Sequence, residues 1–177
     1  MLSRLLTFLC LLFLSQASFP QQSRAQQSRA QQSRTIVPDG VPESCRVTKQ
    51  SEKPFVAPAP YPAQAPKGSF WFGTDGLWTL LLTNPRWPMG QKTFWWRQDW
   101  LGYESDIPER EASRLKVTAL RLDGPASPAK IWRGLGGYRE DWKSFLVGGI
   151  DFPTPGCWEI SARYEDNELT YVVWAAK

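Results

Sequence analysis

The stretch TPGCWEISARYEDNELTYVVW, residues 154 to 174, reads as two short strands folded back on one another. Trp158, Ile160, Ala162 and Tyr164 alternate with Cys157, Glu159, Ser161 and Arg163, and Leu169, Tyr171, Val173 and Ala175 alternate in the same way beyond the charged loop. Strand side chains point to opposite faces with a period of two. An antiparallel hairpin about Glu165-Asp166-Asn167-Glu168 therefore sets Tyr164 opposite Leu169, Ala162 opposite Tyr171, Ile160 opposite Val173 and Trp158 opposite Ala175. A slip of one residue would turn that whole apolar set into water, so the buried face is strongly specified. The other face is mixed, with Cys157, Glu159, Ser161 and Arg163 matched to Ala176, Trp174, Val172 and Thr170.

Cys157 points to that mixed face, and the start of the chain decides how it is read. Arg4 precedes the apolar run LLTFLCLLFL, residues 5 to 14, and Ser15-Gln16-Ala17 follows. This is the pattern of a secretory signal peptide cleaved after Ala17. A membrane-spanning helix needs about 20 apolar residues, so no transmembrane span is expected once the leader is gone. Thr7-Phe8-Leu9 ahead of Cys10 lacks the small residues expected before a lipid-modified cysteine. The exported chain then holds Cys45 and Cys157, and two cysteines in an oxidising compartment predict a disulfide. A catalytic or metal-binding thiol would need an imidazole base or further ligands, and the chain has no histidine.

Arg4 and the three arginines Arg24, Arg29 and Arg34 account for the whole formal charge of +4. The body is neutral and offers no cationic face for nucleic acid. Arg24, Arg29 and Arg34 belong to the repeat QQSRAQQSRAQQSRT, residues 21 to 35, whose five-residue period has no apolar stripe to bury; it predicts a disordered tether. Weak, salt-dependent contact of its arginines with an anionic envelope surface is the functional alternative. A proline-rich zone, PFVAPAPYPAQAP, follows within residues 53 to 67 and favours extended polyproline II conformation. It is either a stiff spacer or an arm along the body. A Cys45–Cys157 bond would favour the arm and draw it across the side bearing Val172 and Trp174.

Residues 68 to 177 match the roughly 100 residues of an immunoglobulin-like sandwich. Runs rich in aromatic and β-branched residues recur between Gly, Pro, Asn and Asp: SFWFG (69 to 73), LWTLLL (77 to 82), KTFWWR (92 to 97), LKVTALRL (115 to 122), KIWR (130 to 133), SFLVGG (144 to 149), CWEISARY (157 to 164) and LTYVVWA (169 to 175). No stretch of helical length shows a 3.6-residue period. The expected architecture is all-β: an immunoglobulin-like antiparallel β-sandwich over 68 to 177, preceded by a disordered and proline-rich arm over 18 to 67 and a signal peptide over 1 to 17.

The tail FPTPGCWEISARYEDNELTYVVW resembles the carboxyl-terminal signature of a group of exported bacterial proteins of unknown function, built on Pro-Gly-Cys-Trp-Glu, an aspartate-containing turn and an aromatic-valine strand. FWFGTDGLWT, FWWR and LRLDGPA are similar to that group's shorter motifs, and together they span most of residues 69 to 175. The resemblance implies an exported immunoglobulin-like domain and no assigned activity; the QQSRA repeat lies outside the pattern.

Patterns that carry chemistry are few. Ser127-Pro128-Ala129-Lys130 fits S-x-x-K, but its proline and the surrounding DGPASPAK read as a loop, and no S-D-N or K-T-G partner occurs. Glu109, Glu111, Glu140 and Asp141 are loop carboxylates in sequence, whereas a glycosidase needs two carboxyls facing each other about 5 to 9.5 Å apart. No phosphate-loop, HExxH, EF-hand or nucleophile-elbow motif is present. No catalytic residue, metal site or cofactor is expected.

Tryptophan is the outstanding feature, with ten copies. Trp71, Trp78, Trp95, Trp158 and Trp174 fall in predicted strands and suit a core. Trp87, Trp96, Trp100 and Trp142 sit in or beside PRWPMGQKTFWWRQDWLGY and YREDWK, where an arm or loop covers them or where they form an exposed platform with Arg97. Three functions fit these residues: an exported, non-catalytic interaction module with an unidentified protein partner, a module binding cell-envelope glycan through exposed tryptophans, and a cell-envelope hydrolase.

Overall fold

A computed structural model describes residues 40–103 and 107–177; the predicted leader, its cleavage site and the QQSRA repeat lie outside the described residues. Among the described residues nine strands form the body: β1 (Ser69–Thr74), β2 (Leu77–Leu82), β3 (Arg86–Pro88), β4 (Lys92–Trp96), β5 (Lys116–Arg121), β6 (Lys130–Arg139), β7 (Lys143–Asp151), β8 (Gly156–Tyr164) and β9 (Asn167–Ala176). One turn of 3₁₀ helix (Gln98–Gly102) and the one-turn helix α1 (Glu109–Ala112) interrupt the connection from β4 to β5. Both are too short to produce a helical period in sequence.

The strands make a five-stranded sheet in the order β1-β2-β4-β7-β6 and a four-stranded sheet in the order β3-β9-β8-β5. Within them β2-β4-β7-β6 and β5-β8-β9 reproduce the ABED and CFG sheets of an immunoglobulin constant-type sandwich. β1 is added outside the first sheet, and β3 is a three-residue strand lying parallel to β9 (Arg86↔Trp174, Trp87↔Ala175, Pro88↔Ala176). Pro88 is tolerated because β3 is an edge strand.

The β8–β9 hairpin buries the expected face in a different register. Tyr164 pairs with Asn167, Ala162 with Leu169, Ile160 with Tyr171 and Trp158 with Val173. The turn is two residues long instead of four, and Glu165 enters it with φ +52°, a left-handed conformation uncommon for a side-chain-bearing residue. A shift of two residues preserves the face, which is why the burial pattern is as expected while the partners are not.

Trp95, Leu146 and Ile150 of one sheet meet Trp158, Ile160, Tyr171 and Val173 of the other to form the inter-sheet core. Ile107, on the way into α1, closes its open side against β6, where a Cβ at Gly136 would stand 2.6 Å from the Ile107 backbone nitrogen. That approach requires glycine.

The arm packs against the outside of both sheets. Cys45 and Cys157 are bonded, with Cα atoms 5.6 Å apart. The sulfurs sit with Val41, Val47, Val172 and Trp174 on the outer face of β8 and β9. Thr48 continues along β9: its N–H donates to the Val172 carbonyl at 2.9 Å, and its hydroxyl accepts from the Val172 N–H at 2.9 Å. Farther on, Phe55, Ala57, Tyr61 and Ala65 cover Trp71, Trp78 and Trp96 on the outer face of the five-stranded sheet. The proline-rich zone is therefore an arm and not a spacer.

Candidate functional site

The predicted tryptophan platform is not a surface. Trp87, Trp96 and Trp100 are at most 3 % exposed. Trp87 lies between the sheets beside Tyr171, Trp96 lies beneath the arm in T-shaped contact with Trp71, and Trp100 packs edge-on to Tyr164. Their scatter over a core, an arm-covered face and a 3₁₀ turn removes the exposed coplanar pair that a glycan platform at these residues needs. Of the four, Trp142, in the turn after β6, is partly buried rather than fully buried, with the Arg139 guanidinium 4.6 Å above its ring.

Arg97 is buried as well. Its guanidinium lies 4.3 Å from the Tyr164 ring centroid, and its Nη2 is 2.5 Å from Asp99 and 3.5 Å from Glu165. Arg114 approaches the same ring at 5.3 Å and pairs with Glu165 and Glu111. The Tyr164 hydroxyl donates to Glu111. That hydrogen bond, with Arg114 beside it, holds the Glu111 carboxyl below the ordinary carboxylate range. Tyr164 thus joins the hairpin turn to the 3₁₀ turn and α1.

The remaining candidate groups are not gathered. Ser127 sits exposed in the β5–β6 loop. No hydrogen bond joins it to Lys130, whose ammonium lies 4.2 Å from the Trp132 ring centroid. Glu109, at the start of α1, pairs with Arg133 at 2.6 Å. Glu140, in the β6–β7 turn, accepts from Lys143 at 2.8 Å and from the Tyr138 hydroxyl at 2.7 Å. Two clefts of about 380 and 390 Å³ share Lys49 and Pro85 where the arm crosses the sandwich, and neither is lined by Ser127, Glu109 or Glu140. Among the described residues no three His, Cys, Asp or Glu side chains are grouped to hold a metal ion, and no helix is long and apolar enough to cross a membrane.

What sequence reading missed is Trp132. It is 50 % exposed, and Leu135 is 67 % exposed, both on β6 at the rim of the five-stranded sheet. Two cross-strand rows place them: Trp132, Gly149 and Lys92 in one, Leu135, Val147 and Phe94 in the next. Val147 and Phe94 pack at the edge of the arm-covered cluster, so both rows belong to the outer face. A Cβ at Gly149 would lie 3.3 Å from Trp132 Cδ1, so glycine lets the indole rest on the sheet. The pairing shifts between Trp132 and Leu135, leaving Arg133 and Gly134 as a bulge that re-aims this part of β6. The glycines of GLGGY ended the predicted strand at Arg133. An aromatic two residues before a glycine run, facing a second glycine pair in SFLVGG, was the signal available.

A smaller exposed apolar pair, Leu120 and Leu122, lies at β5 on the other sheet. No protein-family model matches the chain, and neither does any curated protein or solved structure. The fold and the surface define an immunoglobulin-like sandwich with a disulfide-fastened arm and an aromatic face that the arm only partly covers.

Proposed function

We propose that the chain is an exported, non-catalytic interaction module that binds its partner through the uncovered end of the five-stranded sheet, centred on Trp132 and Leu135. The observation that carries this reading is the contrast on one sheet face: Trp71, Trp78 and Trp96 are covered by the arm, while Trp132 and Leu135 remain at least half exposed. Large apolar residues exposed side by side mark binding surfaces more often than isolated ones do, and tryptophan is enriched among residues that dominate binding energy. Export is supported by the sequence of the leader and by the Cys45–Cys157 bond, which suits an oxidising compartment. The resemblance of the PGCWE tail to exported domains points the same way.

Photo-crosslinking in the producing cell tests the surface. Leu135→benzoylphenylalanine should give a discrete covalent adduct, Asp166→benzoylphenylalanine in the hairpin turn should not, and Trp132→Ala should cut the first adduct on the order of tenfold. No adduct at position 135, or equal adducts at both positions, would reject the proposal.

A further inference from the structure

The arm shows what chemistry the outer face of the five-stranded sheet accepts. No backbone–backbone hydrogen bond joins residues 53–65 to a strand of the sheet among the described residues. Side chains do the holding. The Trp71 indole N–H donates to the Pro62 carbonyl at 2.9 Å, and the Tyr61 hydroxyl donates to the Arg97 carbonyl at 2.9 Å. Tyr61 meets Trp78 edge-on at 5.0 Å, and Phe55 lies 5.9 Å from the same ring. Rings that line a face and an indole that donates to a carbonyl of a proline-rich chain are the means by which proline-rich peptides are recognised generally. Such a ligand is extended before it docks, so little conformational entropy is lost.

The same face runs on beyond the arm with the same kind of residues. Phe94 and Val147, at the edge of the covered cluster, lead directly to Leu135, and Trp132 occupies the next row. The Trp132 indole N–H has no hydrogen-bond partner among the described residues. Extending the deepest observation of the interface already formed in cis, and resting on the binding surface proposed above, we propose that the Trp132–Leu135 end of this face docks an extended proline-rich segment of a partner protein. A sugar ring fits less well. Leu135 and Val147, in the row next to Trp132, offer its hydroxyls no side-chain hydrogen bonds.

The probe is a synthetic peptide of the chain's own arm, KPFVAPAPYPAQAPK, added to the full disulfide-bonded chain while the indole N–H resonances are followed by NMR. The Trp132 resonance should shift saturably, while those of Trp71 and Trp78, covered by the cis arm, stay in place. Trp132→Ala, followed through the Val147 methyl signals, and Leu135→Asp, followed through Trp132, should each weaken binding at least about tenfold. Circular dichroism and the intact Cys45–Cys157 bond report that both variants are folded. A peptide with every proline replaced by serine should bind at least about tenfold more weakly.

Absence of a Trp132 shift overturns the inference, as does equal binding by the serine peptide or by both variants. Movement of Trp71 and Trp78 instead means exchange with the cis arm and also overturns it. A Trp132 shift produced by envelope oligosaccharides but not by the peptide overturns the peptide ligand while the crosslink at position 135 still supports an interaction surface. Loss of that crosslink removes both proposals.

Discussion

Tyr164 shows how one side chain can fix a junction. Arg97 lies 4.3 Å and Arg114 5.3 Å from its ring centroid, Trp100 meets it edge-on at 5.5 Å, and its hydroxyl reaches Glu111. Cations over an aromatic face are attracted by its quadrupole, and more strongly where water is excluded, as it is around Arg97. Glu111 is the titrating member of the group. The hydrogen bond from Tyr164 and the neighbouring Arg114 lower its carboxyl pKa from the ordinary 4.5. A carboxyl with a lower pKa folded than unfolded contributes stability above the unfolded value, and that contribution is lost as pH falls through the folded one. Urea midpoints should therefore be level from pH 7 to about pH 5 and decline below about pH 4.5. In Glu111→Gln the decline should be shallower. It should not vanish, because Glu140, held low by hydrogen bonds from Lys143 and Tyr138, titrates in the same window. So does Asp123, where Arg121 and the Cys157 backbone outweigh partial burial. An identical slope in wild type and variant would show that Glu111 gains nothing from Tyr164.

At the scale of elements, the arm is a ligand built into the chain, and Tyr61 is its anchor. The phenol is buried, which pushes its pKa well above the usual range, so it stays neutral and its hydrogen bond to the Arg97 carbonyl persists at any physiological pH. Tyr61→Phe should cost about 1 kcal/mol for the hydrogen bond. Tyr61→Ala, which also empties the ring's place against Trp78, should cost about 3 kcal/mol. Limited trypsin digestion after Lys67 checks this: cleavage should rise in the order wild type, Phe, Ala, and equal rates would mean that Tyr61 does not hold the arm. This covering function also explains what was legible in the sequence. Period-two alternation in CWEISARY and LTYVVWA was sufficient to find both strands, their buried face and the disulfide's side. The register was not legible, because it turns on Glu165 adopting a left-handed conformation that composition does not signal. β3 was missed for its three residues, and β6 was cut short at glycines of which Gly136 admits the Ile107 backbone and Gly137 the Phe145 ring. The exposure of individual tryptophans was unreadable for a different reason: Trp78 and Trp132 both sit on outer faces of strands, and only the path of the arm makes one 0 % and the other 50 % exposed.

For the whole molecule, the disulfide decides how much of that path is kept. Cys45 and Cys157 are 112 positions apart, and closing a loop of about 100 residues contributes on the order of 4.7 kcal/mol in the chain-entropy model. Each part of the arm also has its own contacts, Thr48 with Val172 on one sheet and Tyr61 with Trp78 on the other. Losing the bond should thus lower stability without erasing the fold. Cys45→Ala/Cys157→Ala should unfold with about 2 to 5 kcal/mol less stability than wild type. The first part to loosen should be the stretch around Val41 and Val47, exposing Trp174 to quencher, while Trp78 stays protected until the sandwich melts. Thermal unfolding followed by acrylamide quenching of tryptophan fluorescence separates these stages. If the double variant lost less than about 1 kcal/mol, or if Trp78 became accessible together with Trp174, the bond would not be acting as a fastener for the first half of the arm, and the two sheet coverings would have to stand or fall as one unit.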